Sequence, residues 1–92
     1  MELTVEFLGL ARQLAQCKQS LVTLHDQATL RDAVAQLAAQ FPSLVGPVID
    51  PETHDLQSAF MLNIDGRRAV SSLDVPARVD QHLYLMFLEA GG

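Results

Sequence analysis

The sequence lacks the residues from which several kinds of site are built. Its 92 residues include one cysteine, Cys17, and no tryptophan. A single cysteine excludes an internal disulfide framework and a metal or iron–sulfur site held by several cysteines. The histidines His25, His54 and His82 are widely spaced and show no metal-ligand pattern, so we expect no metal and no cofactor bound by the domain itself. Cys17 is expected to be a small, half-buried residue near a strand end rather than a sulfur relay.

Long apolar runs and clusters of basic residues are also missing. No stretch approaches the ~20 apolar residues that cross a bilayer, and the first residues lack the basic region and cleavage site of a signal peptide. Six lysines and arginines stand against eleven aspartates and glutamates, which gives a net charge of −5. This balance disfavours nucleic acid and anionic membranes and favours a partner with a basic docking surface. We therefore expect a cytoplasmic protein that binds neither nucleic acid nor membrane.

The residues that are present predict one α+β domain over positions 1–92. Apolar residues make up 49% of the chain and charged residues 18%, as in a globular protein. Alternation and helical periodicity predict strands at 3–7, 20–24, 60–64, 67–70 and 83–88, a short helix at 10–16 and a main helix at 30–41. Thr29 and Asp32 are placed to cap the main helix, and Pro42 ends it. The loop over 42–57 is long; we expect a helical turn near 43–48 and mobility at 50–55.

The last strand is apolar on both faces, so it is expected in the interior of the sheet, beside the first strand and parallel to it. This arrangement is a β-grasp: a mixed sheet of about five strands with the main helix across one face. Four apolar side chains then point away from the helix: Met61, Tyr84, Met86 and Leu88. Either the loops at 42–57 and 71–81 cover this face, or it docks a partner.

The chain finishes with Glu89-Ala90-Gly91-Gly92. Glycine has no side chain and accepts nearly any backbone conformation, so residues 89–92 are expected to form a slim, flexible tail. Four residues reach at most about 13–14 Å, enough to enter a narrow channel in another protein. A frayed terminus or a cloning scar would leave the same letters, so the tail alone does not decide its role.

The chain resembles the MoaD/ThiS family of ubiquitin-like sulfur carriers, to which the molybdopterin synthase small subunit and the thiamine-biosynthesis carrier belong. Five pieces in order carry the resemblance: Val5-Glu6-Phe7-Leu8-Gly9-Leu10-Ala11-Arg12, Ala28-Thr29-Leu30-Arg31-Asp32-Ala33-Val34, Phe41-Pro42, Asn63-Ile64-Asp65-Gly66 and Gly91-Gly92. The length and the long middle loop look more like the molybdopterin synthase subunit than the thiamine carrier.

The resemblance implies a mechanism. An ATP-using activating enzyme related to ubiquitin E1 adenylates the C-terminal carboxylate of Gly92, and a sulfur donor replaces AMP to leave a thiocarboxylate. The thiocarboxylate then delivers sulfur in the active site of a partner, the large catalytic subunit of molybdopterin synthase or another sulfur-accepting enzyme. Glu89, Ala90 and Gly91 would enter that active site. The docking residues would be Met61, Tyr84, Met86 and Leu88. The chain would be a carrier and not itself an enzyme.

Two departures from the family pattern leave other functions open. The family usually reaches its glycines through a Pro-Pro-hydrophobic stretch, where this chain has Phe87-Leu88-Glu89, and its usual Asp-Gly-Asp turn is replaced by Asp80-Gln81-His82. The alternatives are a sulfur carrier for thiamine, cysteine or another metabolite, a ubiquitin-like protein modifier that forms isopeptide bonds through Gly92, and a β-grasp interaction module with an inert tail.

Overall fold

The computed structural model describes residues 1–88. Along the chain it contains β1 (Glu2–Phe7), α1 (Leu10–Ala15), β2 (Gln19–Thr23), α2 (Leu30–Gln40), a short 3-10 helix (Pro42–Leu44), β3 (Phe60–Ile64), β4 (Arg68–Ala69) and β5 (His82–Phe87). Every predicted strand and helix is present. The bounds differ by one or two residues, and the helical turn in the long loop lies at 42–44 rather than 43–48.

The five strands form one mixed sheet in the order β2-β1-β5-β3-β4. β5 lies in the centre, parallel to β1 with Val5 opposite Leu83, and antiparallel to β3 with Met61 opposite Met86. β2 pairs with β1 in antiparallel orientation and forms one edge of the sheet. This topology is the predicted β-grasp. It forms because β5, apolar on both faces, is most stable with a strand on each side.

The core lies between the sheet and α2. Residues of β1, β5 and one side of α2 point into it and are fully buried: Leu3, Val5, Phe7, Leu83, Leu85, Leu30, Ala33, Val34 and Leu37. Thr29 begins α2 with the predicted capping box: its backbone N–H donates to Asp32 Oδ2 at 2.9 Å, and its hydroxyl accepts from the Asp32 N–H. The cap and the buried stripe together fix the position of the helix across one face of the sheet.

Both long loops pack on the helix side of the sheet. Leu44, Val48 and Ile49 of the first loop are buried in the core, as are Leu73 and Ala77 of the second. The second loop also runs beside the start of α2, where backbone bonds join it to the helix. Neither loop covers the opposite face, which carries Met61, Tyr84 and Met86 and which we call the open face. Its uncovered state was one of the two alternatives that the sequence left open.

The Asp65-Gly66 turn between β3 and β4 follows the predicted hairpin chemistry. Both residues have positive φ angles, 58° and 69°, and three residues, 65–67, separate the paired Ile64 and Arg68. The strand after the turn is shorter than expected, since only Arg68 and Ala69 pair with β3. In the described part of the chain, 1–88, no helix is long and apolar enough to cross a membrane.

Candidate functional site

The candidate site is the end of β5, where the chain leaves the sheet toward its glycines. β5 is held on both sides by neighbouring strands, and its residues Leu83 and Leu85 are completely buried. The backbone N–H of Leu8, just past β1, donates to the Leu85 carbonyl at 3.0 Å. The position of the strand end is therefore fixed by the most buried part of the sheet.

The last described residue, Leu88, is still tied to the sheet. Its backbone N–H donates to the carbonyl of Ala59 at 2.6 Å, one residue before β3 begins. One position earlier, the ring of Phe87 meets Phe60 edge to face, with ring centroids 5.4 Å apart. These two contacts hold residues 87 and 88 in place beside β3.

Apolar side chains surround this departure point. Leu8, Leu10, Met86, Phe87 and Leu88 form what we call the C-terminal patch. Leu10, Phe87 and Leu88 are 41%, 43% and 45% exposed, which is high for large apolar residues. A shallow depression lies on the β1 side of the strand end, lined by Leu8, Gly9, Leu10, Met86 and Phe87. A second depression lies on the β3 side, with Phe60, Met61 and Leu88 in its wall.

The open face becomes more polar away from the C-terminal patch. Met61 and Met86 stand opposite each other beside the patch and are half-buried. Farther along, the ring of Tyr84 lies 4.7 Å from that of His82, and His82 Nε2 lies 3.3 Å from a carboxylate oxygen of Glu6. A partner on this face would therefore meet apolar surface near the tail and hydrogen-bonding groups beyond it.

Arg31 secures the two long loops on the β3 side of the strand end, where Arg31 and Asp55 line the same depression as Leu88. Its guanidinium donates to both carboxylate oxygens of Asp74, at 2.8 and 3.2 Å, and to Asp55 Oδ1 and the Thr53 carbonyl, each at 2.8 Å. These bonds raise the pKa of Arg31 and lower that of Asp74. Because all three guanidinium nitrogens donate to groups of the two loops, Arg31 joins α2 to both long loops.

The loop expected to be mobile carries a local turn. Asp50 accepts the backbone N–H groups of Thr53 and Glu52 on one carboxylate oxygen, at 3.1 and 2.8 Å, and these bonds lower the pKa of Asp50. With Thr53 and Asp55 also bound by Arg31, the segment 50–55 is attached at several points. Its mobility stays a prediction.

The structure brings the predicted docking residues to one region. Met61, Tyr84 and Met86 are half-buried on the open face, and Leu88 is exposed at its end. Glu89, Ala90, Gly91 and Gly92 lie outside the described residues. Sequence reasoning missed Leu8, Leu10 and Phe87. The signal was available, because β1 and β5 are parallel and the residues after both strands must meet at the same end of the sheet.

Two further predictions concern Cys17 and metal ligands. Cys17 is half-buried against the core, as expected for a small structural residue. Among residues 1–88, no group of three or more histidine, cysteine, aspartate or glutamate side chains is arranged to hold a metal ion.

Solved structures share this arrangement. Small archaeal modifier protein 1 (SAMP1) from Haloferax volcanii superposes with a TM-score of 0.85 at 20% identity, over 100% of both chains. Molybdopterin converting factor subunit 1 from Pyrococcus furiosus gives a TM-score of 0.77 at 17% identity, over 97% of this chain and 99% of that one. The chain has the fold of the ubiquitin-like sulfur carriers and modifiers.

A third structure extends the likeness to a eukaryotic protein. Urm1 from Trypanosoma brucei has a TM-score of 0.72 at 18% identity, over 99% of this chain and 95% of that one. No protein-family model matches the sequence, and no curated protein matches it in a sequence search. These structures thus confirm the predicted fold over nearly the whole chain, while sequence identity stays low.

Proposed function

We propose that this protein is a sulfur carrier whose Gly92 carboxylate is adenylated and then converted to a thiocarboxylate, as the small subunit of a molybdopterin synthase. The observation that carries the proposal is the position of Leu88. It lies one residue past the end of the central strand, in an exposed apolar patch and four residues before Gly92. The shared fold supports the class, and the P. furiosus molybdopterin converting factor supports the pathway.

The chemistry requires little from the carrier beyond its terminus. A carboxylate oxygen of Gly92 attacks the α-phosphorus of ATP, and pyrophosphate leaves. A hydrosulfide equivalent then attacks the acyl carbon, AMP leaves, and a proton is released. In the acceptor enzyme the sulfur attacks an electrophilic carbon, and water cleaves the acyl–sulfur bond to restore the carboxylate. All acids, bases and ATP contacts belong to the partners, so the chain is a carrier and not an enzyme.

The C-terminal patch supplies the docking energy in this proposal. Partner interfaces typically have an apolar centre and a polar rim, and a few well-packed residues carry most of the binding energy. Met86 and Leu88 lie nearest the tail, Met61 and Tyr84 lie beside them, and Glu6 and His82 form a polar margin. With the patch docked, Glu89, Ala90, Gly91 and Gly92 would extend into the active site of the E1-like enzyme or of the large subunit.

The proposal is tested by intact-mass spectrometry. The protein is incubated with an E1-like activating enzyme, ATP and a sulfur donor, and its mass is expected to rise by the difference between sulfur and oxygen. A variant with one residue added after Gly92 is the control and should show no change. An unchanged mass with every activating enzyme, or a change in the extended variant, would overturn the proposal.

A matched pair of lysine substitutions tests the docking surface. Met86→Lys places a charge in the C-terminal patch, whereas Leu21→Lys places the same charge on the open face at the far edge strand, where Leu21 is 55% exposed. Met86→Lys should weaken binding of the large subunit about tenfold or more, and Leu21→Lys should leave it nearly unchanged. Circular dichroism checks that both variants are folded. Equal effects of the two variants would refute docking through the patch.

A protein modifier is the second candidate function. The superposition on small archaeal modifier protein 1 over the full length of both chains favours it, since that protein is named as a modifier. In this case Gly92 would form isopeptide bonds with lysine side chains of other proteins. Expression of a tagged chain in cells should then give a ladder of larger conjugates that disappears when Gly92 is deleted. A thiocarboxylate without conjugates supports the carrier alone.

A further inference from the structure

The free edge of β2 is closed by a side chain from α2. Thr23 pairs with Glu2 in register, and its neighbour Leu24 exchanges backbone hydrogen bonds with Met1 at 2.6 and 2.8 Å. In an antiparallel pair, hydrogen-bonded and non-hydrogen-bonded positions alternate along each strand. Because Leu24 is bonded to Met1, Thr23 is at a non-hydrogen-bonded position, and its N–H and C=O groups point away from β1, toward the outside of the sheet. An outward-facing row of such groups is where another strand can pair.

Gln36 occupies both of those groups. Its carboxamide oxygen accepts the Thr23 N–H at 2.6 Å, and its carboxamide nitrogen donates to the Thr23 carbonyl at 2.7 Å. A residue of an added strand would make the same two bonds. Gln40, one helical turn later, lies over the next part of the edge: its nitrogen is 3.4 Å from the Leu21 carbonyl, and its oxygen accepts the Ser20 hydroxyl at 2.9 Å.

The opposite edge of the sheet is protected differently. β4 has only two residues, Arg68 and Ala69, and both are exposed. A short edge strand that carries a charge offers a poor template for pairing. β2 has five residues and an exposed leucine, so it is the edge at which another strand would add if Gln36 were absent.

We propose that Gln36 acts as a built-in substitute for a neighbouring strand, and that it keeps a second copy of this chain from pairing with β2. The occupant of the opened edge would be β2 of another molecule, because two identical edges can form an antiparallel pair about a twofold axis. This closure leaves the open face and the C-terminal patch as the available surfaces for partners. It does not depend on the proposed sulfur chemistry.

The test replaces Gln36 by alanine. Alanine has high helix propensity, so α2 should be retained while both bonds to Thr23 are lost. The control is Gln13→Ala, since Gln13 is an exposed glutamine in α1 whose side chain makes no hydrogen bond within the described residues. At low protein concentration the Thr23 amide of Gln36→Ala should exchange with solvent about five- to tenfold faster than in the unmodified protein, as expected for loss of one hydrogen bond.

Sedimentation velocity then measures self-association over a range of concentrations. Gln36→Ala should form dimers as concentration rises, and its Thr23 amide should become protected again because the partner strand covers it. The unmodified protein and Gln13→Ala should each sediment as one species that does not change with concentration. A Gln36→Ala protein that shows no association, or that associates without renewed protection of Thr23, would overturn the proposal.

Discussion

Replacing Leu85 and Leu88 by alanine in turn should separate the part of β5 that holds the fold from the part that meets a partner. The two substitutions remove the same atoms three positions apart. Leu85 lies in the middle of the central strand and is completely buried, whereas Leu88 lies just past its end and is 45% exposed. The identical chemistry makes the surroundings of each side chain the only variable.

The expected loss of stability differs several-fold. Truncation of a buried leucine removes its transfer free energy and leaves a cavity, so Leu85→Ala should lower the free energy of unfolding by about 3–4 kcal/mol. For a domain of this size that lowers the Tm by more than about 12 °C. Leu88→Ala keeps the backbone bond from Leu88 to Ala59 and loses only partial burial. We expect a loss of about 0.5 kcal/mol or less.

Urea unfolding followed by circular dichroism measures both values, and binding to the large subunit or the activating enzyme gives the second readout. Leu88→Ala should weaken binding about tenfold, equivalent to about 1.4 kcal/mol, because its side chain lies in the C-terminal patch. Leu85→Ala should bind normally under conditions where it is folded. Equal losses of stability, or normal binding by Leu88→Ala, would refute the division of β5 into a structural part and a docking part.

Two further substitutions and one deletion test other features. Thr29→Ala should lower the free energy of unfolding by about 1 kcal/mol through loss of the capping bond to Asp32, measured by urea unfolding; no loss would contradict the role of the cap. Arg31→Met should reduce the free energy of unfolding, and the stability of the variant should fall less at acid pH than that of the unmodified protein. The lowered pKa of Asp74 stabilises the fold above the ordinary carboxyl pKa of about 3.9, and that contribution disappears as pH falls below it. Thermal scans between neutral and acid pH should show a smaller acid loss in Arg31→Met than in the unmodified protein; equal losses would contradict this origin. Deletion of Gly92 should abolish mass gain with an activating enzyme and change Tm by less than about 2 °C, because the buried core residues lie between Leu3 and Leu85; a folding defect would refute the separation of tail and core.

Local patterns predicted most of the fold. Alternation at 3–7 and 60–64 marks residues that face one side of a sheet, and the Thr29–Asp32 spacing marks a helix start, because both depend on neighbours in the chain. The apolar run from Leu83 placed β5 in the centre, since such a strand needs burial on both faces. The superposed proteins can share this fold at low sequence identity, because periodicity and burial constrain whether a residue is apolar or polar more than which amino acid it is.

The candidate site was only partly predictable. Met61, Tyr84, Met86 and Leu88 followed from strand alternation. Leu8, Leu10 and Phe87 join them only because β1 and β5 end at the same side of the sheet. Alternation within β5 does not reveal these three residues, because a docking surface is formed by every strand that ends beside it.

The sequence by itself determined the elements, the central strand and the glycine pair at positions 91 and 92. The tertiary structure alone decided which distant residues meet: Arg31 with Asp74, Gln36 with Thr23, and Leu10 beside Phe87. The physical reason is the separation along the chain of the groups that interact. Helix caps and strand alternation depend on groups a few residues apart, whereas hydrogen bonds between side chains of different elements exist only after the chain has folded and depend on distances that no local pattern encodes.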